Sequence, residues 1–503
     1  MPEAQLDPTG KPIRLEGITV RTPGLNGTVV TIAGPTKRTI RGAGATSEFD
    51  RVLQRSKMQT THLVSLDLTP QATGRRGRAR GGAAPADRAI VLDVPAPATG
   101  WEQVILAVDE HGIATWHFGE GSPGGGKRTR GTTTGTRRYV IPHHEAVRST
   151  SPAGRSTTRS VLGDIGKRIV KVIAFPVGKY VGARARDLVR DWENKNRPNG
   201  LRSFTPDDRA KLVPYFPADA GGWQDLAKGR ALLLIHGTFS RIHSGLGALP
   251  GDVLETLHQT YGGRVFGFDH RTISDSPADN VRWFFEQIPR GVKLDLDIIC
   301  HSRGGLVART LAERGAELGN DGKVTVHRIA LVAVPSEGTI LADVDHWNSL
   351  IDTMTSLVNL AGGPGFGDIL ETVLAFVRQI AVAGYREIAG LVAMVPGGEY
   401  LATLNATKRG PLTYLGIISD FEPSEADFVA LLKDEALDRL HDGPNDTLVR
   451  VDSAIGSDRQ TAPFQGVDER IVLTGAEGVE HSAYFGQAGV MRRMADWLAE
   501  GIP

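Results

Sequence analysis

The chain of 503 residues contains a single cysteine, Cys300, which excludes a disulfide framework and every cysteine-rich metal site. It has almost no net charge, +1 at pH 7, so its overall balance gives no support for nucleic-acid binding. No run of about 18 uncharged apolar residues occurs, and no helix is expected to span a bilayer. The stretch Met1–Asp7 lacks a basic region followed by an apolar core, so no secretory signal is expected and the expected compartment is the cytoplasm. There is no internal repeat. What is present is 40% apolar and 23% charged residues, the composition of a globular chain rather than a disordered or fibrous one. At about 100–200 residues per domain the length allows two to four domains.

The near-zero charge hides a segregation. Residues 1–228 carry about 35 Lys and Arg against about 21 Asp and Glu, roughly +14, and residues 229–503 carry the balancing excess of acid, roughly −13. A basic front and an acidic back suggest modules with different surfaces, which either dock on each other or meet an anionic partner. Residues 1–150 read as a small β-rich domain whose function is not legible. The patches Thr28–Ile32, His62–Leu68 and Ala89–Val94 have strand character, and Gln103–Val108 with Ile113–Phe118 alternate around a glycine-containing turn, as in a hairpin. A short helix is expected near Glu48–Lys57, and Gly74–Gly82 and Gly121–Arg138 read as solvated loops.

Residues 151–228 read as a helical connector. Across Val161–Trp192, Ile165, Ile169, Val172, Ile173 and Val177 alternate with Lys167, Arg168, Lys171 and Lys179 at helical spacing, and Pro176 should kink or end the helix. Two readings stand: a connector packing its apolar face on a neighbour, or a basic amphipathic helix making weak peripheral contact with an anionic membrane.

From about Arg230 the pattern becomes strand, turn, helix, repeated. Apolar runs at 231–235, 265–268, 296–299, 329–334, 415–418 and 471–473 are mostly continuous, as expected for strands covered on both faces. Helical patterns at Asp252–Tyr261, Ala278–Gln287, Gly304–Arg314 and Ala488–Ala499 lie between or after them, so residues 229–503 read as a doubly wound α/β domain with a mostly parallel sheet.

Within it, Leu296-Asp297-Ile298-Ile299-Cys300-His301-Ser302-Arg303-Gly304-Gly305-Leu306 runs from an apolar strand through a tight turn into a helix, with serine at the centre of the turn. That is the context of a nucleophile elbow, which projects the hydroxyl away from the sheet. Strand and helix approach closely there, so small residues are needed two before and two after the serine. Gly304 meets this need. Cys300 stands where the G-x-S-x-G pattern has its first glycine and is a small substitute. The alternative is an ordinary serine in a strand–helix loop.

Together with three further motifs in the same order, this stretch resembles the α/β-hydrolase superfamily, on its lipase/esterase side, over about Ala231–Pro503. Leu234-Ile235-His236-Gly237-Thr238 is similar to the His-Gly turn whose backbone helps form the family's oxyanion hole. Val334-Pro335-Ser336-Glu337-Gly338-Thr339 resembles the strand-end turn of many bacterial lipase-like proteins. Asn445–Ser453 resembles the acid loop, and Val479-Glu480-His481-Ser482 stands where the family places its histidine. The order Ser, Asp, His fits. The resemblance implies a C-terminal α/β-hydrolase domain behind the β-rich domain and connector. It also implies hydrolysis of a carboxylic ester, of a lipid or other apolar acyl group, with no cofactor and no metal.

The chemistry sets the roles. A serine hydroxyl is a weak nucleophile at neutral pH, so Ser302 needs an imidazole within reach, and His481 after the last strand is the best candidate. A carboxylate must orient that imidazole. Asp446 is the first choice, and Asp420 at the end of Tyr414–Ser419 is the rival. The backbone amides of Arg303 and Thr238 are the expected oxyanion donors. His236 and His301 should orient their turns, and His270 lies at a strand end near the site. His143-His144 reads as a surface pair rather than a metal site. Residues 341–404 form an insertion with helical stretches Leu350–Leu360, Ile369–Ile380 and Gly390–Val395, expected as a lid over an acyl pocket or as extra cover for the sheet. Two other function classes use the same residues: an interaction or effector module on a hydrolase scaffold, and an acyltransferase or peptidase with the same triad. The expected partner is a small-molecule or lipid ester, with no nucleic acid.

Overall fold

Alternating apolar residues commit the first third of the chain to antiparallel strands. The computed structural model describes residues 2–33, 48–70, 89–110, 112–125, 135–142, 166–178, 187–213, 220–361, 366–385, 388–422, 443–456 and 463–502. The chain divides into two units. The first comprises Met1–Leu188 with Ile351–Ala361 and Val373–Arg386; the second comprises Val189–Leu350 with Gly362–Thr372 and Glu387–Pro503. His143-His144 lies outside the described residues.

The first unit holds β1 (Glu3–Gln5), β2 (Ile13–Leu15), β3 (Ile18–Arg21), β4 (Leu25–Ala33), β5 (Gln59–Pro70), β6 (Ala89–Pro95), β7 (Trp101–Asp109), β8 (Ala114–Phe118), β9 (Thr136–Pro142) and β10 (Lys167–Pro176). They form one sheet in the order β1-β4-β5-β10-β7-β8 and a second in the order β2-β3-β6-β9. Val64 and Leu66 of β5 and Val172 of β10 share one buried cluster with Leu92 of β6 and Tyr139 of β9, so the two sheets pack over a common core.

β10 corrects the expected connector helix. Lys167–Pro176 pairs antiparallel with both β5 and β7, at the centre of its sheet. The run Ile169-Val170-Lys171-Val172-Ile173 is β-branched at four of five positions, a composition that favours a pleated, half-buried surface over a helix. Its apolar spacing fitted the helical period because Val172, Ile173, Ala174 and Phe175 are all buried in this central strand, so the apolar positions stop alternating there. The expected basic helical face disappears with the helix: Lys171 instead pairs with Asp50 at 2.6 Å. Because β10 completes the first sheet, the boundaries expected at 150 and 228 give way to one at Leu188/Val189.

The insertion over 341–404, expected as a lid or as extra cover for the sheet, is divided between the two units. It contains the helices Trp347–Ala361 and Phe366–Ala383, but most of each is built into the first unit. Edge strand β8 bonds to the former helix: the Trp116 amide donates to Asp352 Oδ1 at 2.7 Å and its indole to Thr355 Oγ1 at 2.8 Å. The Ala114 amide donates to Ser356 Oγ at 2.9 Å. Arg378 of the latter helix donates to the carbonyls of Ser56 and Pro176 and lies over the Phe175 ring. These polar side chains satisfy an otherwise unpaired strand edge, which explains why an apolar insertion carries them.

The second unit is α/β, with a mixed, mostly parallel sheet. Its strands are β11 (Gly200–Ser203), β12 (Ala231–Ile235), β13 (Val265–Asp269), β14 (Leu294–His301), β15 (Val324–Val332), β16 (Thr413–Ser419) and β17 (Glu469–Leu473). The order is β11-β13-β12-β14-β15-β16-β17. Only β11 is antiparallel to its neighbour. Every residue of β12 and β13 is buried, and each such Leu, Ile or Phe contributes roughly 1.5–3 kcal/mol relative to exposure. Helices Gly251–Thr260, Pro277–Gln287, Arg303–Glu313 and Ala488–Glu500 follow β12, β13, β14 and β17. Pro277–Gln287 starts on a capping box: Ser276 accepts from the Asp279 amide, Asp279 accepts from the Ser276 amide, and Pro277 opens the helix.

The strand order reverses at β12. β13 lies on one side of it and β14 on the other, so the loops leaving the carboxyl ends of β12 and β14 diverge at a topological switch point, where open α/β sheets bind ligands. Those loops carry His236-Gly237-Thr238 and Ser302.

Candidate active site

Ser302 follows the last residue of β14 and immediately precedes a helix, which leaves it at φ 52°, ψ −131°. A non-glycine residue in such a conformation stores about 1–3 kcal/mol of strain, held here by the surrounding bonds. The Ser302 amide donates to the Val332 carbonyl at 2.9 Å, and its carbonyl accepts from Gly305 at 2.8 Å. The need for small neighbours is physical. A Cβ on Gly304 would lie 2.4 Å from the His236 carbonyl oxygen, and one on Gly237 would lie 2.9 Å from the Ser302 Cβ. Cys300, at the position where glycine was the pattern, is buried, and its thiol points to the Ala330 carbonyl 3.3 Å away on β15. Burial pushes that thiol's pKa up, so it is a packing group here, not a reactive one.

The loop after β12 is braced from below. His236 is wholly buried; its Nδ1 lies 2.9 Å from the Gly237 carbonyl and its Nε2 accepts from the His270 amide at 3.1 Å. Its ring stacks on that of His270 at 4.2 Å. Burial lowers the His236 pKa to about 4, so it stays neutral. Ser240 donates to the Gly237 carbonyl at 2.9 Å, and Phe239 adopts φ 62°. These bonds hold Gly237 against Ser302, with Thr238 next to it. The Arg303 amide lies in the first turn of its helix, where N–H groups have no intrahelical acceptor.

The Arg303 side chain does separate work. It is fully buried, donates to the carbonyls of Gly390 and Asp275 and to Asn280 Oδ1, and burial lowers its pKa to about 10. The loop it grips is pinned by Glu193, whose carboxylate accepts from the consecutive amides of Thr272, Ile273 and Ser274 at 2.7–3.1 Å. The sequence contained no signal for this nest.

Asp446 and His481 lie together in the fold. His481 Nδ1 lies 2.9 Å from Asp446 Oδ2, and the His481 amide donates to the Asp446 carbonyl at 2.8 Å. Asp446 Oδ1 accepts from the amides of Val449 at 2.8 Å and Leu448 at 3.2 Å. Burial acts to raise the Asp446 pKa, but His481 and these hydrogen bonds outweigh it and hold the carboxyl below its ordinary range. Asp420, the rival, follows β16 with its amide on the Leu473 carbonyl. The imidazole faces Asp446. The strand-end turn supports this acid turn: Thr339 Oγ1 donates to the Leu448 carbonyl at 2.6 Å and Ser453 Oγ to the Gly338 carbonyl at 2.7 Å.

Two residues complete the arrangement. His301 Nε2 donates to the His481 carbonyl at 2.9 Å, which fixes its tautomer; burial lowers its pKa to about 3. Tyr484 donates to Asp446 Oδ2 at 2.8 Å. Sequence reasoning missed Tyr484. The available signal was an aromatic three residues after His481, where a tight turn brings both to the same side.

Residues 196–499 match the family described as "Domain of unknown function (DUF7379)". The match spans most of the chain, the strands β11 to β17 of the second unit, and Ser302, Asp446 and His481; the chain belongs to this family. No curated protein matches it. Among solved structures it is similar to the mature form of lipase BlEst2 from Bacillus licheniformis, at 13% identity and TM-score 0.32 over 60% of this chain and 97% of that one. It is similar to lipase 1 from Pelosinus fermentans, at 13% identity and TM-score 0.36 over 54% and 99%. A third is phospholipase PlaB from Legionella pneumophila, at 14% identity and TM-score 0.34 over 54% and 59%. Among the described residues no helix is long and apolar enough to cross a membrane.

Proposed function

We propose that the protein is a serine hydrolase that cleaves a carboxylic ester of a lipid or other apolar acyl group through an acyl-enzyme. The observation that carries this reading is a serine in a strained strand–helix turn at the sheet's switch point, with a buried His481–Asp446 pair beside the residue that precedes it.

Ser302 Oγ attacks the ester carbonyl while His481 Nε2 takes its proton. The amides of Arg303 and Thr238 bind the oxyanion; one such donor is worth about 2.7–4 kcal/mol in related chemistry. Asp446 keeps the Nδ1 proton in place and stabilises the imidazolium. The tetrahedral adduct collapses, the alcohol leaves with the proton from His481, and the acyl group stays on Ser302. Water then attacks the acyl-enzyme with His481 as base, releasing the carboxylic acid and restoring the serine. Met394, buried with its sulfur 4.0 Å from the Thr238 hydroxyl, and buried Leu391 favour an apolar acyl group over a charged one.

The test is hydrolysis of p-nitrophenyl esters in an acyl-chain series by wild type and Ser302→Ala. Turnover that the substitution abolishes supports the reading. Full activity of Ser302→Ala, or no turnover of any chain length by wild type, overturns it.

A further inference from the structure

We propose that Tyr484 is a positioning residue for the catalytic pair, its hydroxyl setting how strongly Asp446 holds the His481 imidazole. This rests on the hydrolase reading above.

The two carboxylate oxygens of Asp446 have different company. Oδ1 is held by the amides of Leu448 and Val449. Oδ2 is shared by the imidazole, at 2.9 Å, and the Tyr484 hydroxyl, at 2.8 Å. Tyr484 is fully buried, and its oxygen also accepts from the Ser419 amide at 2.8 Å. With that lone pair engaged, the phenolic proton is directed at Asp446. Ser419 in turn accepts from the Val479 amide through its own hydroxyl at 2.7 Å, so the end of β16 and the stretch carrying His481 are built around this phenol.

A neutral donor on Oδ2 withdraws charge from the oxygen that stabilises the imidazolium. Its removal leaves Oδ2 more basic, strengthens the ion pair that forms during reaction, and raises the proton affinity of His481. A stronger donor does the reverse. The other titratable groups on adjoining elements are Glu480 beside His481, His301 at the end of β14, Asp420 after Ser419, and the Arg450–Asp452 pair of the acid turn, 2.6 Å apart. His301 is kept neutral by burial, so it adds no charge near neutral pH.

A purely structural tyrosine would change stability on substitution without moving the histidine's titration. The experiment follows the His481 imidazole by NMR titration in the inactive Ser302→Ala chain, alone and with Tyr484→Phe or 3,5-difluorotyrosine at 484. The pH profile of kcat/KM is measured for the matching active enzymes. The midpoint is expected to rise by about half to one pH unit in Tyr484→Phe and to fall with the more acidic phenol, with KM little changed. Should Tyr484→Phe fail to fold because Ser419 loses its acceptor, the fluorinated phenol retains the hydroxyl and carries the test. Coincident titrations overturn the proposal even if wild type turns over esters. Absence of turnover with shifted titrations removes the hydrolase reading and leaves the Tyr484 coupling standing.

Discussion

His301 and His481 are joined side chain to backbone: the imidazole Nε2 of His301 donates to the His481 carbonyl at 2.9 Å, and the two rings lie 4.8 Å apart. The residue before the candidate nucleophile thus fixes the backbone of the candidate base. His301→Ala leaves that carbonyl without its donor, a loss of about 1–3 kcal/mol for a buried group. The rate of covalent labelling by a fluorophosphonate should fall roughly 10–100-fold, with the circular dichroism spectrum retained. An unchanged rate counts against this contact as a positioning device.

Asp446 and Asp420 are expected to separate cleanly. Asp446→Asn cannot hold the Nδ1 proton, and ester turnover should drop roughly 10³–10⁴-fold, as in other triads of this type. Asp420→Asn leaves the His481–Asp446 bond in place and should stay within about threefold of wild type. Equal losses in steady-state assays of the two variants would refute the assignment of the acid.

The buried histidines make stability depend on pH with a definite sign. An unfolded histidine titrates near 6.5, whereas burial holds His236 at about 4 and His301 at about 3. Between those values the unfolded chain binds protons that the folded chain refuses. Stability therefore falls as pH drops below about 6.5, by about 1.4 kcal/mol per pH unit for each group. Urea unfolding from pH about 7 to about 4.5 should show this, and His301→Gln should lower the slope by about one proton. An identical slope would contradict neutral burial of His301.

In the first unit, Trp116→Phe removes the donor to Thr355 while retaining an aromatic ring. Loss of that bond should destabilise the unit by about 1–3 kcal/mol, read as a lower urea midpoint. No change would mean that the helix Trp347–Ala361 does not depend on the indole bond from β8.

Much of the second unit was legible because its information is local. Continuous apolar runs marked six of its seven strands, and the turn around Ser302 announced itself through Gly304, whose Cβ would meet the His236 carbonyl. The pairing of His481 with Asp446 followed from order along the chain. β11 was missed because four residues carry too little periodicity to read. β10 was misread because its end, Val172–Phe175, is buried throughout, and a continuous apolar run beside spaced lysines mimics helical spacing. The placement of Ile351–Ala361 and Val373–Arg386 was not legible at all: bonds from Trp116 to Asp352 and Thr355 link residues more than two hundred positions apart. Glu193 was silent for the same reason, since the three amides it accepts from lie about eighty positions along the chain; Tyr484 left only its place three residues after His481.

The most direct measurement is the site of covalent modification by a fluorophosphonate, located by peptide mass spectrometry on folded wild-type protein. The expected result is a single adduct on Ser302, absent from Ser302→Ala and formed far more slowly in His481→Ala. A folded protein that forms no adduct, or forms it on another residue with Ser302 unmodified, would contradict Ser302 as the nucleophile.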